Sequence, residues 1–439
     1  MNTSSKPVLN DQRIIRAWAF FDWANSAFAL VITAAIFPAY YMAVTDDEVR
    51  FLGIQTSDSA LYAYAISFAY LLIALFSPLL SGIADYGGRR KFFLKFFTIL
   101  GALSCLSLFF FKGMEQLTFG TVAFIFAMIG FAGGLVFYNA FLPIIVSEDL
   151  YDRVSAKGYA YGYFGSVLLL VLNLVMIQYP QWFGIPDAGL ATRFAFLTVG
   201  LWWLGFALIP FRWLPSDEKQ GKKPDLLKKG FQELKKVWRN VQYQPQIKSF
   251  LISFFCYSAG VQTVIYLAAT FAEKELQFGT IELISVVLIL QLVGIGGAYL
   301  FARLSEQKGN KLALISILFI WMGICLAAYF VDQKIQFYIV AGAVGLVMGG
   351  VQALSRSTYS KLLPEQSEDT TSYFSFYDVL EKVAVILGTF LFGFIDQLTG
   401  NMRLSILVLS IFFLAGILLL LRLKVQPAEN HSQATISMR

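Results

Sequence analysis

Runs of about 20 apolar residues recur along this chain from one end to the other, each long enough to cross a bilayer as a helix. Twelve such segments fall near 16–44, 57–84, 92–112, 117–147, 159–178, 193–213, 248–272, 281–304, 311–331, 335–360, 372–395 and 402–423. With 57% hydrophobic and 14% charged residues over 439 positions, a soluble fold is excluded, because it would need far more charge on its surface. The expected fold class is an all-α membrane protein. The opening MNTSSKPVLN is polar, and the first apolar stretch is too long for a signal-peptide core, so no cleavable signal is expected.

An even number of spans puts both termini on one side. Of 34 Lys and Arg, 27 lie on that side, six lie on the other, and Lys382 falls within a span. That bias predicts cytoplasmic termini, and the inner or plasma membrane if the source is bacterial. The net charge of +6 follows from the same asymmetry and gives no reason to expect nucleic acid. Cys105, Cys256 and Cys325 are scattered singly, there is no P-loop, and no nucleophile–base pair or metal cluster is evident. An enzyme is disfavoured, and no cofactor or metal is expected. The only histidine, His431, lies in the polar tail, so a proton relay inside the membrane would have to use carboxylates.

Residues 214–247 form the only long polar break and separate six spans from six. The expected organisation is a tail (1–15), a six-helix bundle (16–213), a basic linker (214–247), a second six-helix bundle (248–423) and a tail (424–439). Within the linker, Leu227, Phe231, Leu234, Trp238 and Val241 recur at helical spacing among Lys228, Lys229, Lys235, Lys236 and Arg239. An amphipathic helix on an anionic leaflet and a solvated linker with some helix both fit this pattern. The halves echo each other weakly. Segments starting at Gly133 and Gly349 share an order of glycine-rich span, acidic turn and aromatic-rich span. SGIADYGGRRK and ARLSEQKGNK each set an acid (Asp85, Glu306) three residues before a glycine and then basic residues. Every third span is apolar all round, which places it against lipid, while the others carry the polar side chains.

SGIADYGGRRK resembles the loop 2–3 signature of the major facilitator superfamily through Asp85, Gly88, Arg89 and Arg90, with Ser81 and Tyr86 departing from it. FDWANSAFALVITAAIFPAYY, FYNAFLPIIV, QALSRSTYSKLLPE and FYDVLEKVAVILG are similar to the vacuole-effluxer-like branch, which comprises fungal vacuolar amino-acid effluxers and bacterial relatives. The resemblance implies two pseudo-symmetric six-helix bundles that alternate access about a site between them. It also implies that Asp85, Arg89 and Arg90 form charge contacts at the cytoplasmic face. The superfamily's antiporter signature in the fifth span, with its Gly-Pro pair, is absent.

Charged and polar residues inside spans are the candidate site. Asp22, Asn25, Ser26, Ala29 and Thr33 form one polar stripe, with Asp22 about 9 Å along a span that starts near Arg16. Asp22 either faces substrate or pairs with a base near the mouth. Ser258, Gln262, Tyr266 and Thr270 step by four, and either orient a ligand or tie helices together. Tyr138 and Asn139 lie beside Pro143. Arg356 lies about one turn inside its span and is expected to pair with an acid and act in gating. Asp378, Glu381 and Lys382 crowd the start of the eleventh span. Their net charge of −1 invites Arg356 or a bound proton, and the cluster is either structural or the ligand site.

The resulting reading is a secondary transporter of a small polar metabolite, amino acids first. Asp22, Asn25, Asn139, Gln262, Tyr266 and Lys382 would contact substrate. Asp22, Asp378 or Glu381 would carry protons, and Asp85, Arg89, Arg90 and Arg356 would gate. Its partners would be substrate, protons and membrane lipids, and the chain is expected to be a monomer. The alternatives are an exporter of amphipathic drugs or lipids, and a receptor of the same fold that transports nothing.

Overall fold

The computed structural model describes residues 9–217, 225–364, 369–399 and 401–423. The N-terminal eight residues, part of the linker and the 424–439 tail lie outside the described residues. Thirteen long helices follow in chain order: α1 Gln12–Val44, α2 Asp58–Gly87, α3 Arg90–Ser107, α4 Leu117–Asn139, α5 Tyr151–Gln178, α6 Ala188–Trp213, α7 Leu226–Tyr243, α8 Pro245–Leu276, α9 Thr280–Lys308, α10 Asn310–Tyr329, α11 Lys334–Leu362, α12 Thr370–Thr399 and α13 Met402–Arg422. Among the described residues, eleven of them are long and apolar enough to cross a membrane. Besides these, α7 is the polar linker helix, and α12 carries Asp378, Glu381 and Lys382 yet packs against α2, α4, α8 and α13.

Side-chain caps set several helix starts. Ser57 accepts from the Ala60 amide, Asp187 from Leu190, and Asn401 from Arg403 and Leu404. Separate apolar cores lie on either side of the linker. One contains Phe28, Phe37, Phe124 and Trp203, the other Phe254, Trp321 and Phe413. Phe92 of α3, Leu201 of α6, Phe319 of α10 and Ile411 of α13 are each more than half exposed, as helices facing lipid require.

Two local features were not legible in the sequence. Between α1 and α2 the chain forms an antiparallel hairpin, β1 Glu48–Phe51 with β2 Ile54–Ser57, in which Glu48 pairs with Ser57 and Phe51 with Ile54. Its two-residue turn puts both Leu52 (φ 49°) and Gly53 (φ 87°) in the left-handed region, and leucine there gives no turn signal. Within α1, Phe28–Ile36 winds as a π-helix. The Phe37 amide bonds to the Ile32 carbonyl, so the next partner in that register falls on Pro38, which has no N–H. The Thr33 carbonyl left over accepts instead from the Tyr62 hydroxyl of α2 at 3.0 Å.

Candidate functional site

The halves meet in polar layers, all toward the end of the bundle that carries the linker. In the outermost layer, the α2–α3 turn of one half meets the start of α12 in the other. Gly88, at φ 60°, closes α2 in a left-handed cap and so turns the chain just past Asp85. Asp85 then accepts from the Ser372 amide at 2.7 Å, the Ser372 hydroxyl at 2.8 Å and the Thr371 amide at 3.3 Å. The two amides belong to the first turn of α12, where a carboxylate also meets the positive end of the helix dipole. Arg90 pairs with Asp85 at 2.8 Å and donates to the Thr371 hydroxyl at 2.5 Å. Arg89, grouped with Arg90 in the sequence, is exposed and enters no ion pair among the described residues.

The second seam of this layer is built differently from the sequence echo. Glu306, the apparent counterpart of Asp85, is exposed. The buried acid is Asp152, at the start of α5 in the opposite half. It accepts from Ser305, Asn310 and Lys361, each at 2.7 Å. The turn between α9 and α10 therefore supplies donors, and the acid comes from the helix it meets. Asp152 sits among loop-like residues in the sequence and gave no signal there.

The middle layer is centred on Arg356 of α11, which is 1% exposed. Its Nε donates to Ser155 Oγ at 2.9 Å and its Nη2 to the Ser155 carbonyl at 2.8 Å. Its Nη1 reaches Asn139 at 3.2 Å and Asp22 at 3.4 Å. The rings of Tyr159, Trp18 and Tyr138 surround the guanidinium with centroids at 4.3, 4.7 and 5.5 Å. Asp22 also accepts from the Tyr138 hydroxyl at 2.6 Å. An ideal Cβ at Gly158 would lie 2.6 Å from Asp22 and 2.9 Å from Arg356, so a side chain there would enter the pair. Because α1 begins at Gln12, Asp22 lies about 15 Å along it rather than 9 Å. Its base comes from the other half, and no cation from its own helix is involved. Asn25, one turn on, is 1% exposed, and neither its oxygen nor its nitrogen has a hydrogen-bond partner.

Deeper still, Tyr163 of α5 donates to the Gln352 side chain of α11. On α12, Lys382 contacts Asp378 at 2.9 Å and Glu381 at 3.5 Å, and lies 5.3 Å from the Tyr70 ring centroid of α2 in the other half. Gln262 of α8 donates to Glu381 at 3.0 Å. One Asp378 oxygen is buried without a partner. With α12 starting at Thr370, Lys382 is about 18 Å along the helix. Arg356 does not neutralise this cluster, as its charge allowed, because it is held by Asp22. Among the described residues the three α12 charges thus stay together with a surplus acid. The Tyr266 and Thr270 side chains lie outside the described residues.

The polar contacts between the halves described above all lie on the linker side of Tyr163 and Lys382 or at their level. This arrangement is closed on the linker side.

A family model described as vacuole effluxer Atg22 like matches residues 10–433. The MFS-type transporter YxiO of Bacillus subtilis (strain 168), itself described as uncharacterized, is 30% identical over 422 residues, covering 95% of this chain and 96% of its own length. Autophagy-related protein 22 of Saccharomyces cerevisiae (strain ATCC 204508 / S288c) is 24% identical, covering 85% of this chain and 78% of its own. Among solved structures, the major facilitator superfamily transporter FucP in its outward conformation matches with a TM-score of 0.71 at 14% identity, covering 94% of this chain and 99% of that one. The human organic anion transporter MFSD10 matches with 0.69 at 15%, covering 94% and 100%. At such identities the solved structures bear on fold alone.

Proposed function

Because the chain belongs to the vacuole effluxer Atg22-like family and has the major facilitator fold of a membrane transporter, we propose that it moves small zwitterionic metabolites, amino acids first, by alternating access. The observation that carries this reading is the α12 cluster. Lys382 offers a cation at mid-depth on the face toward the other half, and Glu381, only partly buried, offers an anion one residue away. A carboxylate on Lys382 and an ammonium on Glu381 would satisfy both charges of an amino acid, with Gln262 steering between them. Proton coupling goes with Asp378 or Glu381, since Asp22 is taken up by Arg356 and Tyr138. The Arg356 and Asp85 layers act as the gate, and the termini face the cytoplasm.

An apolar cavity lined by Val264, Phe271, Val286, Ile324, Phe337 and Phe392 lies wholly within the second half. It is off the seam along which alternating access works, so it does not favour an amphipathic cargo.

Proteoliposomes loaded with a panel of amino acids, sugars, peptides and nucleosides test the proposal. Accumulation of an amino acid under an imposed pH gradient is the expected result. Accumulation of only sugars or nucleosides would remove the zwitterion assignment, and no movement of any solute would favour a receptor.

A further inference from the structure

The linker helix α7 touches both halves. Gly230 packs directly on α2, where a Cβ at Gly82 would overlap the Gly230 carbonyl oxygen and a Cβ at Gly230 would lie 2.7 Å from Ile83. Two turns further, Lys236 pairs with Asp369 at 2.8 Å and Glu233 at 2.5 Å, and Trp238 packs on Phe376 with ring centroids 5.4 Å apart. Asp369 and Phe376 flank and begin α12, the same helix start that Asp85 caps. Hydrogen bonds from Lys236 to Asp369 and Glu233 hold its ammonium above the usual lysine range. Opening the linker side separates the α2 turn from the α12 start. One rigid helix cannot keep both anchors when that happens.

The flank of α7 beside this packing is largely exposed. Gly230, Val237 and Val241 form the buried face. Beside it Leu227, Phe231 and Trp238 are 68%, 61% and 50% exposed, Trp238 even with its Phe376 contact, and they lie within about 40° of one another around the helix. The next sector carries Lys228, Lys235 and Arg239, all exposed. Glu233 is the only acid in the helix, and it faces Lys236 at the bundle. An apolar ridge bordered by an all-basic stripe, on a helix already seated at the end of a membrane-spanning bundle, is complementary to a bilayer surface of acidic headgroups.

We propose that α7 is a latch read by anionic lipid: acidic headgroups hold its outer flank in the membrane surface, and its inner flank ties α2 to α12 and keeps the linker side closed. Lipid charge then biases the conformational equilibrium without entering the transport path. The readout is a distance and needs no substrate, so it stands apart from the identity of the cargo.

The test places spin labels at Arg89→Cys and Lys308→Cys, exposed positions on the linker-side turns of opposite halves, in a chain whose three native cysteines are replaced. Distance distributions are recorded in vesicles of neutral phosphatidylcholine and in vesicles with one-third phosphatidylglycerol. The unaltered helix should show a closed-to-open ratio roughly fivefold or more higher in the anionic vesicles. Replacing Lys228, Lys235 and Arg239 with Gln should abolish that difference. Lys236→Gln should lower the closed fraction in both vesicle types. Identical distributions in the two lipids, a lipid effect that survives the triple substitution, or a Lys236→Gln protein as closed as its parent would each overturn the proposal.

Discussion

Two buried cations, Arg356 and Lys382, stand at the interface of the halves and are treated in opposite ways. Arg356 has two acceptors on Ser155, one on Asn139 and one on Asp22, and aromatic rings fill the space around it. Lys382 has acids from its own helix, a ring from the other half, and beside it an Asp378 oxygen with no partner. A saturated charge has nothing left to offer a ligand and serves to hold parts together. A charge cluster with spare capacity costs free energy until something binds it. On the proposed reading this difference is what separates a lock from a binding site.

The largest effect should come from removing one charge. Arg356→Gln leaves Asp22 buried without its base, a loss of about 3–5 kcal/mol, and should sharply reduce the yield of folded protein after detergent extraction. Lys382→Met leaves Asp378 buried without its base as well, but should cost less, because the other acid, Glu381, keeps partial access to solvent and Gln262. If the two substitutions destabilise the protein equally in thermal unfolding, the contrast drawn above is wrong.

Charge-balanced pairs should bring out a second difference. Asp22→Asn with Arg356→Gln should restore folding and still bind substrate, while labels on the linker side become more reactive. Lys382→Met with Asp378→Asn should fold normally and fail to bind in a thermal-shift titration. Recovery of binding by the second pair would make the α12 cluster a structural network.

The smallest effects should come from the neutral partners. Asn139→Ala removes one of several Arg356 contacts and should lower stability by about 1 kcal/mol with substrate KM unchanged. Gln262→Ala should leave stability nearly intact and raise KM several-fold in uptake assays. A reversal of this pattern would exchange the roles of the two clusters.

The apolar runs fixed much of the architecture before any coordinates, because crossing hydrocarbon demands about 20 residues per span and leaves little choice of backbone. The helix α12 was legible in the same way, and its three charges were legible as a cluster inside a span. Arg356 was legible as a charge inside a span in need of an acid, since an arginine there cannot stand alone. The identity of that acid was not legible. Asp22 lies more than 300 positions away, and nothing local distinguishes it from Asp378, which also needed a cation. Asp152 escaped notice because the partners that satisfy it, Ser305, Asn310 and Lys361, all lie in the other half. Likewise Arg89 and Arg90 are adjacent and chemically equal, and only the direction of the turn at Gly88 aims one of them at Thr371.

Sequence alone therefore determined which segments enter the membrane, that a basic helix divides them, and which spans hold charge, since desolvation and helix length act residue by residue along the chain. Tertiary structure alone decided which acid each cation takes, which acid caps which helix, and that the linker helix spans both halves. Those outcomes depend on distances between residues hundreds of positions apart, and pairing energies act only once the packing of the two bundles has set those distances.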